Sequence, residues 1–267
     1  MKNILAGHTN SYHTYGLDEA LEGIVEAGFK YVELSAVRGW TEHVPLEATD
    51  AQIVEIQAKL HRLGLKASAL SGHSDLTTAD GVALGKKAVD LCQKLSLTLM
   101  NTAIGGHYSE DEDRSAFMGH IQELADYATA RGVTLGLEVH GDIMASGQVS
   151  IPLIQEINRD NVRINYDTAN CVFYGGVEAI DDLPGVIPYL VHCHLKDTGG
   201  GKKDWNFPAI SEGRLDFGAI LKLFEQEGYT GPFSVEIEFQ GEPWPPVEEV
   251  HRSMKVSYEH LKNLGLS

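Results

Sequence analysis

The sequence predicts an α/β chain folded as a single (β/α)8 TIM barrel. Short apolar strand-like runs alternate with amphipathic helical patterns along the whole chain, and eight such units fit within 267 residues. No linker, low-complexity tract or break in composition divides them, so the barrel is expected to occupy residues 1–267 as one domain. An open doubly wound sheet is the competing architecture, but no GxGxxG follows the first strand.

Each unit has its own signal. The first strand is read at residues 3–7 (NILAG), followed by a helix at 17–27 with Asp18 near its start and Gly28 just past its end. Strand 31–35 (YVELS) leads to helix 49–63, which opens at Asp50 and stops at Gly64. Strand 65–70 leads to helix 78–95, with Asp80 in its first turn, and strand 98–102 leads to helix 110–130. Gly132 then precedes strand 133–139, and helix 151–158 precedes strand 162–167. Helix 177–183 precedes strand 190–195; helix 216–227 ends at Gly228 before strand 233–239, and helix 246–264 closes the chain.

Composition narrows the function. A formal charge of −17 opposes a nucleic-acid partner and an anionic membrane surface alike. Cys92, Cys171 and Cys193 lie far apart without CxxC spacing, which suits reduced, buried thiols. The opening MKNILAG lacks the pattern of a secretion signal, and no run is long enough to span a membrane, so a soluble cytoplasmic protein is expected. Assembly into a homo-oligomer stays open.

Four strands in the second half carry polar pairs spaced two apart: Glu138 and His140, Asn165 and Asp167, His192 and His194, Glu236 and Glu238. Side chains on a strand alternate faces, so each pair shares one face while apolar neighbours such as Leu137, Tyr166, Cys193 and Ile237 take the other. In a barrel, residues at the C-terminal strand ends converge on one mouth. A set of carboxylate and imidazole donors there suits a divalent ion, with Mn²⁺ the first choice and Co²⁺, Mg²⁺ and Zn²⁺ the alternatives. Alternation alone does not choose within each pair.

The ordered strings GLEVH, YDTAN, HCHLKD and SVEIE resemble the xylose isomerase-like barrel superfamily, which includes sugar epimerases, inosose dehydratases, keto-glycoside lyases and endonuclease IV. The resemblance covers the whole chain, including FKYVEL and SEGRLDF. It implies metal ligands at Glu138, Asp167, His194 and Glu236, with Glu138 and Glu236 also serving as acid and base on opposite faces of a sugar. His192 is then expected one layer deeper, orienting a ligand, and Glu238 outside the ligand set. His140 departs from the epimerases and matches members with an ExHG turn, which makes it a third candidate acid or base. Asn170 resembles the family's ligand-orienting DxxN position.

Other residues are candidates by position. Lys196 shares the inward face of His194 and would hold a hydroxyl or oxyanion, whereas Asp197 suits a cap for the following loop. His73 and His107 follow the third and fourth strands and are expected to touch substrate; His8, Trp40 and Trp205 are candidate pocket walls. The GGGKK run at 199–203 reads either as an anion loop or as a lid, without Walker spacing.

The expected activity is that of a divalent-metal-dependent isomerase or epimerase acting on a small keto-sugar, by proton abstraction through a metal-bound enediolate. The alternative is a lyase that performs β-elimination on a keto-sugar, by 3-keto-glycoside cleavage or inosose dehydration. The endonuclease reading fits poorly, because Asp204-Trp205-Asn206 stands where that branch has DxH and the chain is acidic. A non-catalytic sugar-binding barrel would have little need of two glutamates on one metal.

Overall fold

A computed structural model of the chain describes residues 1–105 and 111–266. Eight parallel strands close into a barrel in sequence order, with β1 paired to both β2 and β8. The strands are β1 (Leu5–His8), β2 (Tyr31–Ser35), β3 (Lys66–Ser71), β4 (Leu99–Thr102), β5 (Thr134–Glu138), β6 (Val162–Asp167), β7 (Leu190–Leu195) and β8 (Phe233–Val235). The helices are α1 (Leu17–Ala27), α2 (Asp50–Leu63), α3 (Ala79–Lys94), α4 (Asp111–Thr129), α5 (Gly147–Ile157), α6 (Ala179–Asp182), α7 (Phe217–Gln226) and α8 (Val247–Asn263). Helix α8 packs on α1, so the outer ring closes where the chain ends. No helix among the described residues is long and apolar enough to cross a membrane.

Local chemistry sets the boundaries. Gly28, Gly64, Gly132 and Gly228 all adopt the positive φ that ends a helix, as the sequence predicts. Thr49 caps α2 in a reciprocal capping box with Gln52, and the Thr78 side chain caps α3. Helix α5 starts at Gly147, four residues before the expected 151. Ser146 caps it, and the Asp182 carboxylate accepts from the amides of Gly147 and Gln148 at 2.6 and 3.1 Å, support supplied from elsewhere in the chain. The expected helix at 177–183 shrinks to α6, and a π-helical turn forms before it at Cys171–Gly175.

Strand β8 is also shorter than expected and stops at Val235 instead of reaching 239. Beyond Glu236 the backbone leaves the barrel: Ile237 N–H donates to the Ser11 hydroxyl at 2.9 Å, and Phe239 pairs with Phe207. Glu236 still donates its amide to the Leu195 carbonyl of β7 at 3.1 Å, whereas Glu238 sits on a rim held from outside the sheet by the Phe207 carbonyl at 3.3 Å.

The barrel interior contains a buried polar layer where apolar layers are usual. Asn101 Nδ2 donates to Glu33 Oε1 at 2.7 Å, and His192 bridges Asn165 and Ser234 at 2.9 and 3.0 Å. Leucine, isoleucine, valine and phenylalanine fill the space between strands and helices, where Cys92, Cys171 and Cys193 are free and buried.

Two glycine substitutions should move stability in opposite directions. A Cβ on Gly81 would lie 1.7 Å from the Asp75 carbonyl oxygen, whereas one on Gly119, exposed on α4, meets nothing within 4 Å. Gly81→Ala is expected to cost about 3 kcal/mol, and Gly119→Ala to stabilise by about 0.5–1 kcal/mol, read from urea midpoints. Equal midpoints for the two variants would contradict this packing.

Candidate metal centre

Glu138 and Asp167 are the last residues of β5 and β6, His194 is the penultimate residue of β7, and Glu236 is the first residue past β8. Strand pairing sets Asp167 beside His194, and His194 beside Ser234, two residues before Glu236. The four side chains are buried and place ligand atoms within 4.8 Å of one another.

His194 lies at the centre of this group. Its Nε2 is 3.1 Å from Glu33 Oε2, while Nδ1 faces Glu138, Glu236 and Asp167 at 3.5, 3.7 and 4.0 Å. A carboxylate on one ring nitrogen leaves the other to act as a donor atom. Asp167 Oδ1 accepts from the amides of Ala169 and Asn170 at 2.9 and 2.8 Å. Its other oxygen, Oδ2, is buried without a hydrogen bond, although Lys196 Nζ stands 3.1 Å away.

The glutamates are held on both flanks. Glu138 receives Asn170 Nδ2 at 3.0 Å and has His73 Nε2 3.0 Å away. Glu236 receives Asn10 Nδ2 at 2.9 Å, and His8 Nδ1 lies 2.9 Å from it, out of line for a hydrogen bond. Lys196 Nζ reaches Glu236 and Glu238 at 2.9 and 3.0 Å.

This crowding divides the protons unevenly. Burial pushes Glu138 up, but His194 and His73 outweigh it and hold the carboxyl below its usual range. Burial likewise opposes Lys196, His194 and His8 at Glu236, which ends well below the usual value. Burial raises Asp167 to about 6 against the pull of Lys196, with Glu138 and Glu236 adding repulsion. Glu238 rises to about 7, again through burial against Lys196, with Glu236 repelling. An excess of carboxylates, an unbonded inward oxygen and an imidazole nitrogen within one small volume fit a divalent cation of hard to borderline character.

A cavity of about 250 Å³ opens over this group. His8, His73, Glu138, Asn170, Lys196, Glu236 and Glu238 line its floor and sides, and Val37, Trp40, Phe173 and Trp205 add apolar wall. His140 lines it too, with Nε2 3.0 Å from the Tyr174 hydroxyl, but stands outside the four-donor group because β5 ends at Glu138. Lys196 reaches the cavity as expected, with its ammonium already on three carboxylates. His192 lies deeper, on Asn165 and Ser234. Asp197 gathers the amides of Thr198, Ser211, Gly213 and Leu215, the loop-organising role read for it. The 199–203 run is outside the lining, and Lys203 pairs with Asp142 at 2.9 Å. His107 lies outside the described residues. The sequence reading did not single out Glu33, Asn10, Phe173 or Tyr174. A lone carboxylate in the otherwise apolar YVEL was the available signal for Glu33.

Residues 21–261 match the model of the xylose isomerase-like TIM barrel family. The chain belongs to this family. Among its relatives, an L-ribulose 3-epimerase of Methylomonas sp. (strain DH-1) is 26% identical over 241 residues, covering 83% of this chain and 78% of that protein. The L-ribulose-5-phosphate 3-epimerase UlaE of Escherichia coli (strain K12) is 25% identical over 234 residues, 82% of this chain and 81% of that one. The crystal structure of a xylose isomerase domain protein from Planctomyces limnophilus superposes with a TM-score of 0.79 at 22% identity, covering 98% and 97% of the two chains. The xylose isomerase-like family, the barrel and the four-donor cluster together support a metal-binding enzyme of the sugar isomerase and epimerase kind.

Glu33 anchors His194 from the opposite side of the barrel, so its removal leaves two histidines without their carboxylate. Glu33→Ala is expected to cost about 3–5 kcal/mol in urea unfolding. A loss under about 1 kcal/mol would show that the anchor is idle.

Proposed function

We propose that this chain is a divalent-metal-dependent epimerase or isomerase of a keto-sugar, with Glu138, Asp167, His194 and Glu236 as ligands and Glu138 and Glu236 as the acid–base pair. The observation that carries this is that both glutamates belong to the four-donor cluster and also line the cavity. Mn²⁺ is the proposed ion, with Co²⁺, Mg²⁺ and Zn²⁺ as competitors at the same N and O donors. When bound, such an ion supplies Lewis-acid polarisation of the substrate carbonyl, which acidifies the neighbouring C–H.

The chain supplies the proton transfers. One glutamate takes the proton from the carbon beside the carbonyl, and the other returns a proton to the opposite face or to the adjacent carbon. Against the push of burial, His194 and His73 hold the Glu138 carboxyl, and Lys196, His194 and His8 the Glu236 carboxyl, below the usual range. The glutamate acting as acid therefore takes up a solvent proton before delivering it, and the one acting as base releases the abstracted proton to solvent afterwards. His73 and Asn170 fix the orientation of Glu138, and Asn10 and Lys196 that of Glu236, so neither base has to search for its geometry. His73, His107, Asn170 and Lys196 are the proposed substrate-side contacts, and His140 a further acid or base. The relatives are named for both a ketose and its phosphate ester, which leaves the substrate's charge open.

A lyase is the second reading. It shares the first proton abstraction, and the His140–Tyr174 pair at the cavity wall offers a proton donor for a departing β-substituent. Incubation with ketoses and with 3-keto-glycosides in Mn²⁺, followed by NMR of the products, separates an epimer from an eliminated fragment.

The purified protein is expected to bind about one divalent ion per chain and to melt several degrees higher with it, because an ion at about a hundred times its Kd adds roughly 2.7 kcal/mol. Asp167→Asn and His194→Ala should each lower occupancy at least about tenfold. Unchanged metal content in both variants would refute the ligand set. Turnover in D₂O should place deuterium at the reacting carbon, and Glu236→Gln should slow that exchange by about 10²–10⁴-fold. Undiminished exchange would remove Glu236 from the proton transfer.

A further inference from the structure

We infer that the keto-sugar taken by this cavity has an uncharged far end, seated against Trp40 and Trp205, so that sugar phosphates are poor ligands; this rests on the proposed function and names its substrate class.

Charge at the cavity is the first ground. Lys196 is the one Lys or Arg that lines it among the described residues, and its ammonium lies on Asp167, Glu236 and Glu238 at 3.1, 2.9 and 3.0 Å. Among the lining histidines, His73 lies 3.0 Å from Glu138 and His140 3.0 Å from the Tyr174 hydroxyl, while His8 stands 2.9 Å from Glu236 without a hydrogen bond on either ring nitrogen. The cations on the surrounding loops are also committed. Arg38 pairs with Glu42 and Glu47, Lys203 with Asp142, and Arg214 with Glu178. Lys202 runs along Gly176, outside the lining. By sequence alone, 106–114 (GHYSEDEDR) carries four carboxylates against His107 and Arg114.

A phosphate ester needs charge-assisted donors when it leaves water, and Arg forks or free ammonium groups are the usual source. Seated against Trp40 and Trp205 it would instead meet indole and the apolar surface of Val37 and Phe173, with Lys196 the one Lys or Arg in the described lining and already on three carboxylates.

The second ground is the wall. Trp40 and Trp205 are 41% and 37% exposed, and both line the cavity. Trp40 is stacked on His13 with centroids 3.7 Å apart, and Trp205 is braced edge-on by Phe173 and Phe207 at 5.7 and 5.2 Å. Indoles fixed from behind keep their place without a ligand, and they bind C–H faces at low entropic cost. Val37 and Phe173 extend the same apolar surface. Such a wall suits the carbon backbone and hydroxyls of a neutral sugar.

Matched pairs test the inference: ribulose against ribulose 5-phosphate for turnover, and ribitol against ribitol 5-phosphate for calorimetric binding, all with Mn²⁺-loaded protein. The neutral member should be preferred by at least about tenfold in each readout. Trp40→Ala and Trp205→Ala should each weaken ribitol binding several-fold and narrow the preference. Equal or tighter binding of the phosphate ester overturns the inference, as does unaltered ribitol affinity in both tryptophan variants. Absence of ribitol binding at about 10 mM overturns it as well. If ribitol binds selectively and no ketose turns over, the charge preference stands and the epimerase reading falls.

Discussion

One buried ammonium holds the mouth of this barrel together. Lys196, just past β7, meets carboxylates from β6 and from the segment beyond β8, so it ties three consecutive strand ends at one point. Two unit charges 4 Å apart in a protein-like medium interact by about 4 kcal/mol, and the carboxylates here would repel one another on that scale. Without a central cation the strand ends would have to spread or take up protons. Burial has already driven Asp167 and Glu238 toward neutral pH despite Lys196, which shows how near that balance lies. The lysine that the sequence suggests as a substrate contact is first a structural counter-ion.

His194 connects this mouth to the polar layer beneath it. Its inner nitrogen rests on Glu33 from β2, across the barrel from its own strand, and Asn101 from β4 fixes the other Glu33 oxygen. The imidazole orientation is thus set by strands in the first half of the chain, although its partners at the mouth come from the second half. A barrel interior filled with leucine and valine would leave that ring free to rotate. The polar layer gives up some apolar burial for a donor atom with a defined direction.

Much of this arrangement can be read in the sequence because a strand displays its chemistry every second residue. Strands β2, β6 and β7 fall at the expected residues, and one member of each of the four polar pairs of the second half converges at the mouth. The pairs alone could not say which member matters, since both members face inward and differ only in depth: His192 sits among Asn165 and Ser234, and His194 reaches the carboxylates. Glu33 escaped notice because it has no partner two residues away and lies far from the other site residues in the chain. Asn10 sits in a 3-10 turn, and Phe173 and Tyr174 in a π-helical one, where no hydrophobic period announces a side chain's direction. The early start of α5 depends on Asp182, a contact between distant segments that no local pattern encodes.

The early end of β8 divides the site into two mechanical halves. Glu138, Asp167 and His194 stand on strands locked into a closed ring of parallel hydrogen bonds, where a shift of one residue would turn every neighbour inside out. Glu236 is the last residue tied to the ring, through its amide on the Leu195 carbonyl, and Glu238 stands beyond it on a stretch pinned by Ser11, Phe207 and Lys196. Exchanges in that stretch would leave the barrel's register untouched while re-aiming Glu238, which shares the Lys196 ammonium with Glu236. Divergence of reaction outcome on this scaffold therefore has a natural graft point, a few residues long, at the seam where the last strand meets the first.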